Sequence, residues 1–384
     1  MTGEGFVFSE KPIQIERGEG PYLYTDDGTE YLDFGASYAV AALGHAHPRV
    51  TAAVQQQVED LVYVQASYPN SVRTELYEKL GALGPVDDDR ALNKVWLCNS
   101  GTEANEAAMK FARNATGRSK IVATSRGFHG RTMGALAMTW KDEYKKPFEP
   151  LAGGIEFVTY GDRDELEEAV DDETAAVFLE PVQGEGGIYP ASTEYLQAAR
   201  DYTEEAGAAL VFDEIQTGVG RTGTLWACEQ AGVVPDMLTT AKGIANGLPL
   251  GATLCADWIA ESKPEHGSTF SGGPVVCAAA NATLDTVVEE EIPKHAAAIG
   301  EYLKTEIETA TKEHDLPIRE VRGLGLMLGI EVKHGSNRLL RDLALNEQVL
   351  ALPAGRTVLR LLPPLTIEEE HADRLVDALT EVMT

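Results

Sequence analysis

The chain has 384 residues, 43% of them apolar, and 61 acidic against 32 basic residues leave it a net charge of −29. Its length and apolar content allow a large buried core in two domains, and with 4 Trp, 13 Tyr and 10 Phe they exclude a disordered chain. The negative charge disfavours nucleic acid and anionic membranes as partners.

Along the chain, MTGEGFVFSEK (1–11) has no basic region leading into an apolar core, so it does not read as a secretion signal. No apolar run reaches membrane-spanning length, and a cytoplasmic location is expected. Residues 10–35 read as short strands around a DDG turn, and His45 and His47 of LGHAHP (43–48) as loop and capping residues. From KVWLC (94–98) onward, β-rich runs alternate with helical ones. KIVAT (120–124), IEFVTY (155–160), AAVFLEPV (175–182) and AALVFDEI (208–215) read as strands. Residues 102–117 and 192–207 read as helices, with Gly117 and Gly207 at their C-caps. This alternation predicts βαβ units and a mostly parallel sheet covered on both faces, with its site at the carboxyl ends of the strands.

After about residue 276 the pattern becomes a long helical stretch, then REVRGLGLMLGIEVK (319–333), TVLRLLPPL (357–365) and a final helix. An α/β fold follows, with a large central domain over 51–275 and a smaller α+β domain made from 1–50 and 276–384. Cys98, Cys228, Cys255 and Cys277 form no CxxC pair and read as small buried apolar residues. No metal site is expected, since His129 has no second ligand at a sensible spacing.

Several stretches carry chemistry. In CNSGTEANEAAMK (98–110) a strand ends and a helix begins; Ser100 and Glu103 fit a capping box, and the N–H groups of Gly101 and Thr102 form a seat for a phosphate. SRGFHGRTMGALAMT (125–139) places an aromatic, a histidine and an arginine in one loop, and LEPVQGEGGIYPAS (179–192) places Glu180 and Glu185 after a buried strand. In LVFDEIQTGVGRTG (210–223) Asp213 ends an apolar strand, where a carboxylate requires a partner. GVGRTG matches G-x-G-x-x-G and raises a nicotinamide-dependent dehydrogenase as an alternative. That fingerprint should open a helix directly after its strand, with an acidic residue about 20 positions on. DEIQT intervenes here, so the glycines read as a loop. Lys242 in TTAKGIANGLPLG (239–251) is the one lysine between Lys146 and Lys263, in a run of small and apolar residues. Burial depresses an ammonium's pKa, so this lysine suits a buried ion pair, a general base or a Schiff-base nucleophile.

SGTEANEAAMK, GFHGRTMG, EPVQGEGG, DEIQTGVGRTG and the TTAKG run occur in an order that closely resembles the class III, ornithine-type aminotransferases of pyridoxal-phosphate fold type I. The resemblance extends from ERGEGPYLYTDDGTEYLDF to LRLLPPL, nearly the whole chain. It implies pyridoxal 5′-phosphate as cofactor, held by Lys242 as a Schiff base, with Lys242 then shuttling the substrate proton. It implies that Asp213 pairs with the pyridinium nitrogen, Gln216 bonds the ring hydroxyl, Phe128 stacks on the ring, and Gly101 and Thr102 bind the phosphate. Thr269 of HGSTFSGG (266–273) matches a threonine that completes the phosphate site of the other subunit, which implies a homodimer with shared active sites; Ser268 is expected near substrate. Arg131 matches the arginine for the carboxylate of an N-acylated diamino acid, and Arg360 the one for the α-carboxylate of glutamate. Glu185 matches the residue that neutralises Arg360 when the amine donor is bound. After Thr269 the family usually has Phe-Gly-Gly-Asn-Pro; this chain has FSGGP, with Ser271 and Gly273 at two of those places.

Within the family, residues 319–365 resemble enzymes of arginine and lysine biosynthesis. These exchange the terminal amine of N-acetylornithine, or of lysine or ornithine on a small acidic amino-group carrier protein, with 2-oxoglutarate and glutamate. Ornithine and 4-aminobutyrate aminotransferases are the near alternatives. With 18 arginines to 14 lysines and acidic runs at 87–90, 162–173 and 367–373, the composition suggests a salt-rich, halophilic setting in which screening shortens self-repulsion.

Overall fold

The computed structural model describes residues 11–384. Most of the MTGEGFVFSEK stretch therefore lies outside the described residues. A seven-stranded sheet organises the rest, in the order Lys94–Cys98, Gly251–Cys255, Met237–Thr240, Ala209–Asp213, Thr174–Leu179, Lys120–Thr124, Ile155–Val158. All neighbours run parallel except the two pairings made by Gly251–Cys255. The sheet is mostly parallel, as the alternation predicts. Two strands escape sequence reading, Met237–Thr240 and Gly251–Cys255. Both are buried at every position, so neither shows a two-residue alternation, and both are too short to stand out as apolar runs.

The sheet has cores on both faces because successive side chains point to opposite sides. Val177, Leu179, Leu210 and Phe212 belong to one apolar cluster; Ala176, Phe178, Ala209 and Val211 belong to another, with Ala107, Ala108 and Phe111 of the helix Gly101–Thr116. That helix starts at Ser100, whose Oγ accepts from Glu103 N at 3.3 Å, and ends at Gly117 with φ of 70°. The expected capping box is altered, since the Glu103 carboxylate accepts from Asn99 N at 2.6 Å. The helix Thr193–Ala206 has Ser192 as N-cap and Gly207 at φ of 63°.

Both termini build the smaller α+β part. Ile15–Glu19, Tyr22–Thr25 and Glu30–Asp33 form an antiparallel meander, and Val349–Leu350 joins it in parallel, with Val349 opposite Leu32. The hairpin Ile318–Leu324 and Met327–Val332 is extended by Val358–Leu361 and Leu352–Ala354. Pro274–Glu289, Ile292–Glu313, Ser336–Asn346 and Glu369–Met383 are the helices of the C-terminal stretch. No helix among the described residues is long and apolar enough to cross a membrane.

Ala36, Ser37, Tyr38 and Ala39 have φ of 38°, 54°, 65° and 67°. Such a left-handed turn costs roughly 1–2 kcal/mol per non-glycine residue, so it requires fixed partners. Asp33 Oδ1 accepts from Gly35 N and Ala36 N, both at 2.9 Å, and His45 Nε2 meets Asp33 Oδ2 at 2.9 Å. Asn246, at φ of 43°, then accepts from Leu43 N at 2.8 Å and donates to Gly44 O at 3.0 Å. These two bonds tie the segment just after the left-handed run, at Leu43 and Gly44, to the turn that carries Lys242, itself at φ of 47°. Asn246→Gly keeps the backbone conformation but loses both bonds. It should lower the unfolding free energy by about 1–3 kcal/mol, read as a lower urea midpoint at constant slope. An unchanged midpoint would contradict this role.

Candidate active site

The loops after the carboxyl ends of five strands enclose a cavity of about 420 Å³. Asn99 to Thr102 follow Lys94–Cys98, Phe128 to Arg131 follow Lys120–Thr124, and Glu180 and Glu185 follow Thr174–Leu179. Asp213 ends Ala209–Asp213, with Gln216 three residues on, and Lys242 follows Met237–Thr240. Of the site residues named from the sequence, Gly101, Thr102, Phe128, Arg131, Glu185, Asp213, Gln216 and Lys242 line it.

Asp213 supplies the best-anchored charge. Its Oδ2 accepts from Asn105 Nδ2 at 2.7 Å and from His129 Nδ1 at 2.8 Å, and its Oδ1 from Ile215 N at 3.1 Å. Asn105 is fixed in turn, donating to His129 O at 2.8 Å and accepting from Thr239 Oγ1 at 2.8 Å. Burial disfavours the charged form of His129, but its hydrogen bond to Asp213 and the charges of Asp213 and Glu180 outweigh burial and raise its pKa. Burial raises that of Glu180, which accepts from Phe128 N at 2.9 Å and Gly184 N at 3.2 Å.

Lys242 faces the cavity from its turn. Burial pushes its amine down to about 8, against the pull of Glu185, and the Arg360 guanidinium adds to the depression. Arg360 is fully buried and does not line the cavity; it reaches the wall through Glu185 Oε1 at 2.6 Å and Gln216 Oε1 at 3.2 Å. Its Nε and Nη2 have no partner among the described residues. Two orphaned guanidinium donors beside a carboxylate partner leave a buried fork of the kind that binds carboxylates bidentately. Arg131 is exposed in the cavity, stacked 3.6 Å from the Tyr144 ring centroid, with no carboxylate within ion-pair distance among the described residues. A Cβ on Gly184 would lie 2.1 Å from Gln216 Oε1, so a larger residue there would displace the Gln216 amide.

Ser268 and Thr269 lie outside this cavity. They line a separate hollow with Tyr63, Gln65, Ala66 and Ser67, although Ser268 Oγ accepts from Asn99 Nδ2 at 3.0 Å. The GVGRTG residues form the expected loop. Its Arg221 is fully buried and donates to Leu326 O at 3.0 Å and to Pro363 O, and burial pushes it down to about 9. No cluster of three or more His, Cys, Asp or Glu able to hold a metal occurs among the described residues.

Sequence reasoning missed His129 and Asn105 as partners of Asp213. The signal for Asn105 was available: an amide on the otherwise apolar face of Gly101–Thr116, fully buried between Ala104 and Ala107. For His129 there was none, because its partner is 84 positions away.

Residues 8–383 match the family model described as aminotransferase class-III. A [LysW]-aminoadipate semialdehyde transaminase from Deinococcus radiodurans is 44% identical, over 98% of this chain and 87% of its own length. An acetylornithine aminotransferase from Methanopyrus kandleri is 42% identical, over 98% and 96%. Among solved structures, an ornithine aminotransferase from Toxoplasma gondii, with pyridoxal phosphate in partial occupancy at its active site, superimposes with a TM-score of 0.91 at 30% identity, over 97% of this chain and 90% of the other. The donor set of the cavity fits that cofactor: a depressed amine, an anchored carboxylate, the N-terminus of a 16-residue helix and an aromatic face at Phe128. With the family model spanning nearly all of it, the chain belongs to the class-III aminotransferases, enzymes dependent on pyridoxal phosphate.

Proposed function

We propose that this aminotransferase exchanges the terminal amine of an N-masked diamino acid with 2-oxoglutarate, in arginine or lysine biosynthesis. The observation that carries the reading is the pair of arginines at the cavity. Arg131 stands unpaired in it, while Arg360 is held by Glu185 with two donors free. A masked diamino acid presents one carboxylate far from its reacting amine, which suits Arg131 alone. Glutamate presents two, and the second requires Glu185 to release Arg360. The substrates named for the relatives from D. radiodurans and M. kandleri support this choice.

Pyridoxal phosphate supplies the electron sink that allows the carbon bearing the amine to lose its proton. Lys242, depressed towards neutrality, takes and returns that proton. Asp213, fixed by His129 and Asn105, would hold the ring nitrogen in its protonated form, and Gln216 would bond the ring hydroxyl. Phe128 would cover the ring, and the N–H groups of Gly101 and Thr102 would receive the phosphate.

The amine reaches the enzyme either free, as N-acetylornithine, or on a small acidic carrier protein. Charge favours the carrier at this one place in an acidic molecule. The stretch 126–146, whose Arg131 lines the cavity, carries Arg126, Arg131, Lys141, Lys145 and Lys146 against Asp142 and Glu143, with Lys141 paired to Glu143 and Lys145 and Lys146 to Asp142. Purified enzyme with 2-oxoglutarate should turn over N-acetylornithine or carrier-bound lysine well above free ornithine and 4-aminobutyrate. Comparable turnover of either free amine would overturn the masked-diamine reading.

The working form in this reading is a homodimer, with a cofactor-binding domain over 51–275 and a smaller domain from 1–50 and 276–384. Thr269 serves the partner's phosphate, which is why it lies outside its own cavity. Val62, Tyr68 and Phe270, 59%, 61% and 66% exposed near that hollow, supply apolar surface for the partner to cover. Four buried free cysteines suit a reducing cytoplasm. At molar salt the Debye length falls to about 3 Å, which relieves the repulsion of 29 excess negative charges. Sedimentation in molar KCl should give a dimer that loosens or unfolds when the salt is removed. A monomer in KCl contradicts the shared site, and an equally stable dimer in dilute buffer contradicts the salt requirement.

A further inference from the structure

Glu185 stands on a turn that is clamped from outside the cavity. The turn joins Val182–Gln183 to Tyr189–Pro190, which pair antiparallel. Within it Ile188 is fully buried at φ of 56°, a conformation that a β-branched residue disfavours and that neighbours must enforce. The enforcing group is Arg322, from the C-terminal hairpin. Its Nε donates to Gly187 O at 3.0 Å and to Ile188 O at 3.1 Å, and its Nη2 to Gly187 O at 2.8 Å. Its remaining Nη1 is held by Glu320 at 2.8 Å and Glu331 at 2.7 Å. The guanidinium also stacks 4.1 Å from the Tyr189 ring centroid, and Arg126 approaches the same ring at 4.9 Å.

The register of the hairpin sheet connects this clamp to the substrate arginine. Arg322 lies opposite Gly329, and Gly329 lies opposite Arg360 on the next strand. Ile188 packs onto that middle position, where a Cβ on Gly329 would come within 2.9 Å of its own Cβ. One row of a single sheet therefore carries the arginine that Glu185 neutralises and the arginine that holds the turn bearing Glu185. Neither end can shift relative to the other without breaking the row.

We propose that Arg322 is a positioning residue that biases Glu185 onto Arg360 and so sets how the enzyme divides its affinity between the masked amine and glutamate. The inference rests on the reading of Glu185 as the group that neutralises Arg360. With the clamp loosened, Glu185 leaves Arg360 more readily. Arg360 is then freer for the α-carboxylate of glutamate, and its uncompensated charge opposes the ammonium of the masked amine.

The test is the two half-reactions of the holoenzyme, each followed by cofactor absorbance, with glutamate or N-acetylornithine as the amine. Arg322→Lys keeps the charge but loses the forked contacts to Gly187 and Ile188. It should lower the glutamate dissociation constant and raise that of N-acetylornithine, shifting their ratio about tenfold, the value of one charge-assisted hydrogen bond. Glu331→Gln leaves the arginine in place and loosens its support; it should shift the ratio in the same sense by less, and it serves if Arg322→Lys does not fold. Equal weakening of both substrates, or an unchanged ratio in both variants, overturns the proposal. Glu185→Gln separates the two levels: it should lower the glutamate constant by itself, and if it does not, the neutralising role of Glu185 fails and the clamp proposal fails with it.

Discussion

The amine of Lys242 is pulled in two directions, and the site depends on which pull wins. Burial and the Arg360 guanidinium favour the neutral amine, while the carboxylates of Glu185, Asp213 and Glu180 favour the ammonium. Burial prevails because the nearest carboxylates are already engaged: Glu185 by Arg360, and Asp213 by His129 and Asn105. Remove either partner and a buried charge would turn on the lysine. Pairing beside the cavity therefore keeps the amine of Lys242 near neutrality.

The fold makes that balance possible. Parallel strands deliver their carboxyl ends to one edge, so Asn99, Phe128, Glu180, Asp213 and Lys242 meet although they are spread over about 140 residues. Close approach there is bought with unusual backbone: four left-handed residues at 36–39 and left-handed Ile188, Lys242 and Asn246. Each of these elements adjoins the cavity or holds a residue that does. Strain of this kind persists where surrounding contacts over-determine it, here through Asp33, Asn246 and Arg322.

Much of this could be read from the sequence, and the pattern of success is physical. Long amphipathic helices with glycine caps, such as Gly101–Thr116, and apolar strands ending in a charged residue, such as Ala209–Asp213, announce themselves locally. The lysine run was conspicuous because a lone cation stood among small residues. What could not be read depends on tertiary neighbours. Met237–Thr240 and Gly251–Cys255 become strands by filling an already buried sheet, His129 finds Asp213 only through folding, and the Arg322–Gly329–Arg360 row exists only in register.

The central claim is that Lys242 alone carries the cofactor, by virtue of its depressed pKa. Apo-protein should be mixed with pyridoxal phosphate across a pH series, reduced with borohydride and mapped by mass spectrometry. A lysine lowered to about 8 gains its neutral form as pH rises through that value, so attachment should accelerate with a midpoint near pH 8 and fall on the peptide containing Lys242. Attachment at another lysine, or a rate still climbing towards pH 10 as for an ordinary exposed amine, would contradict it.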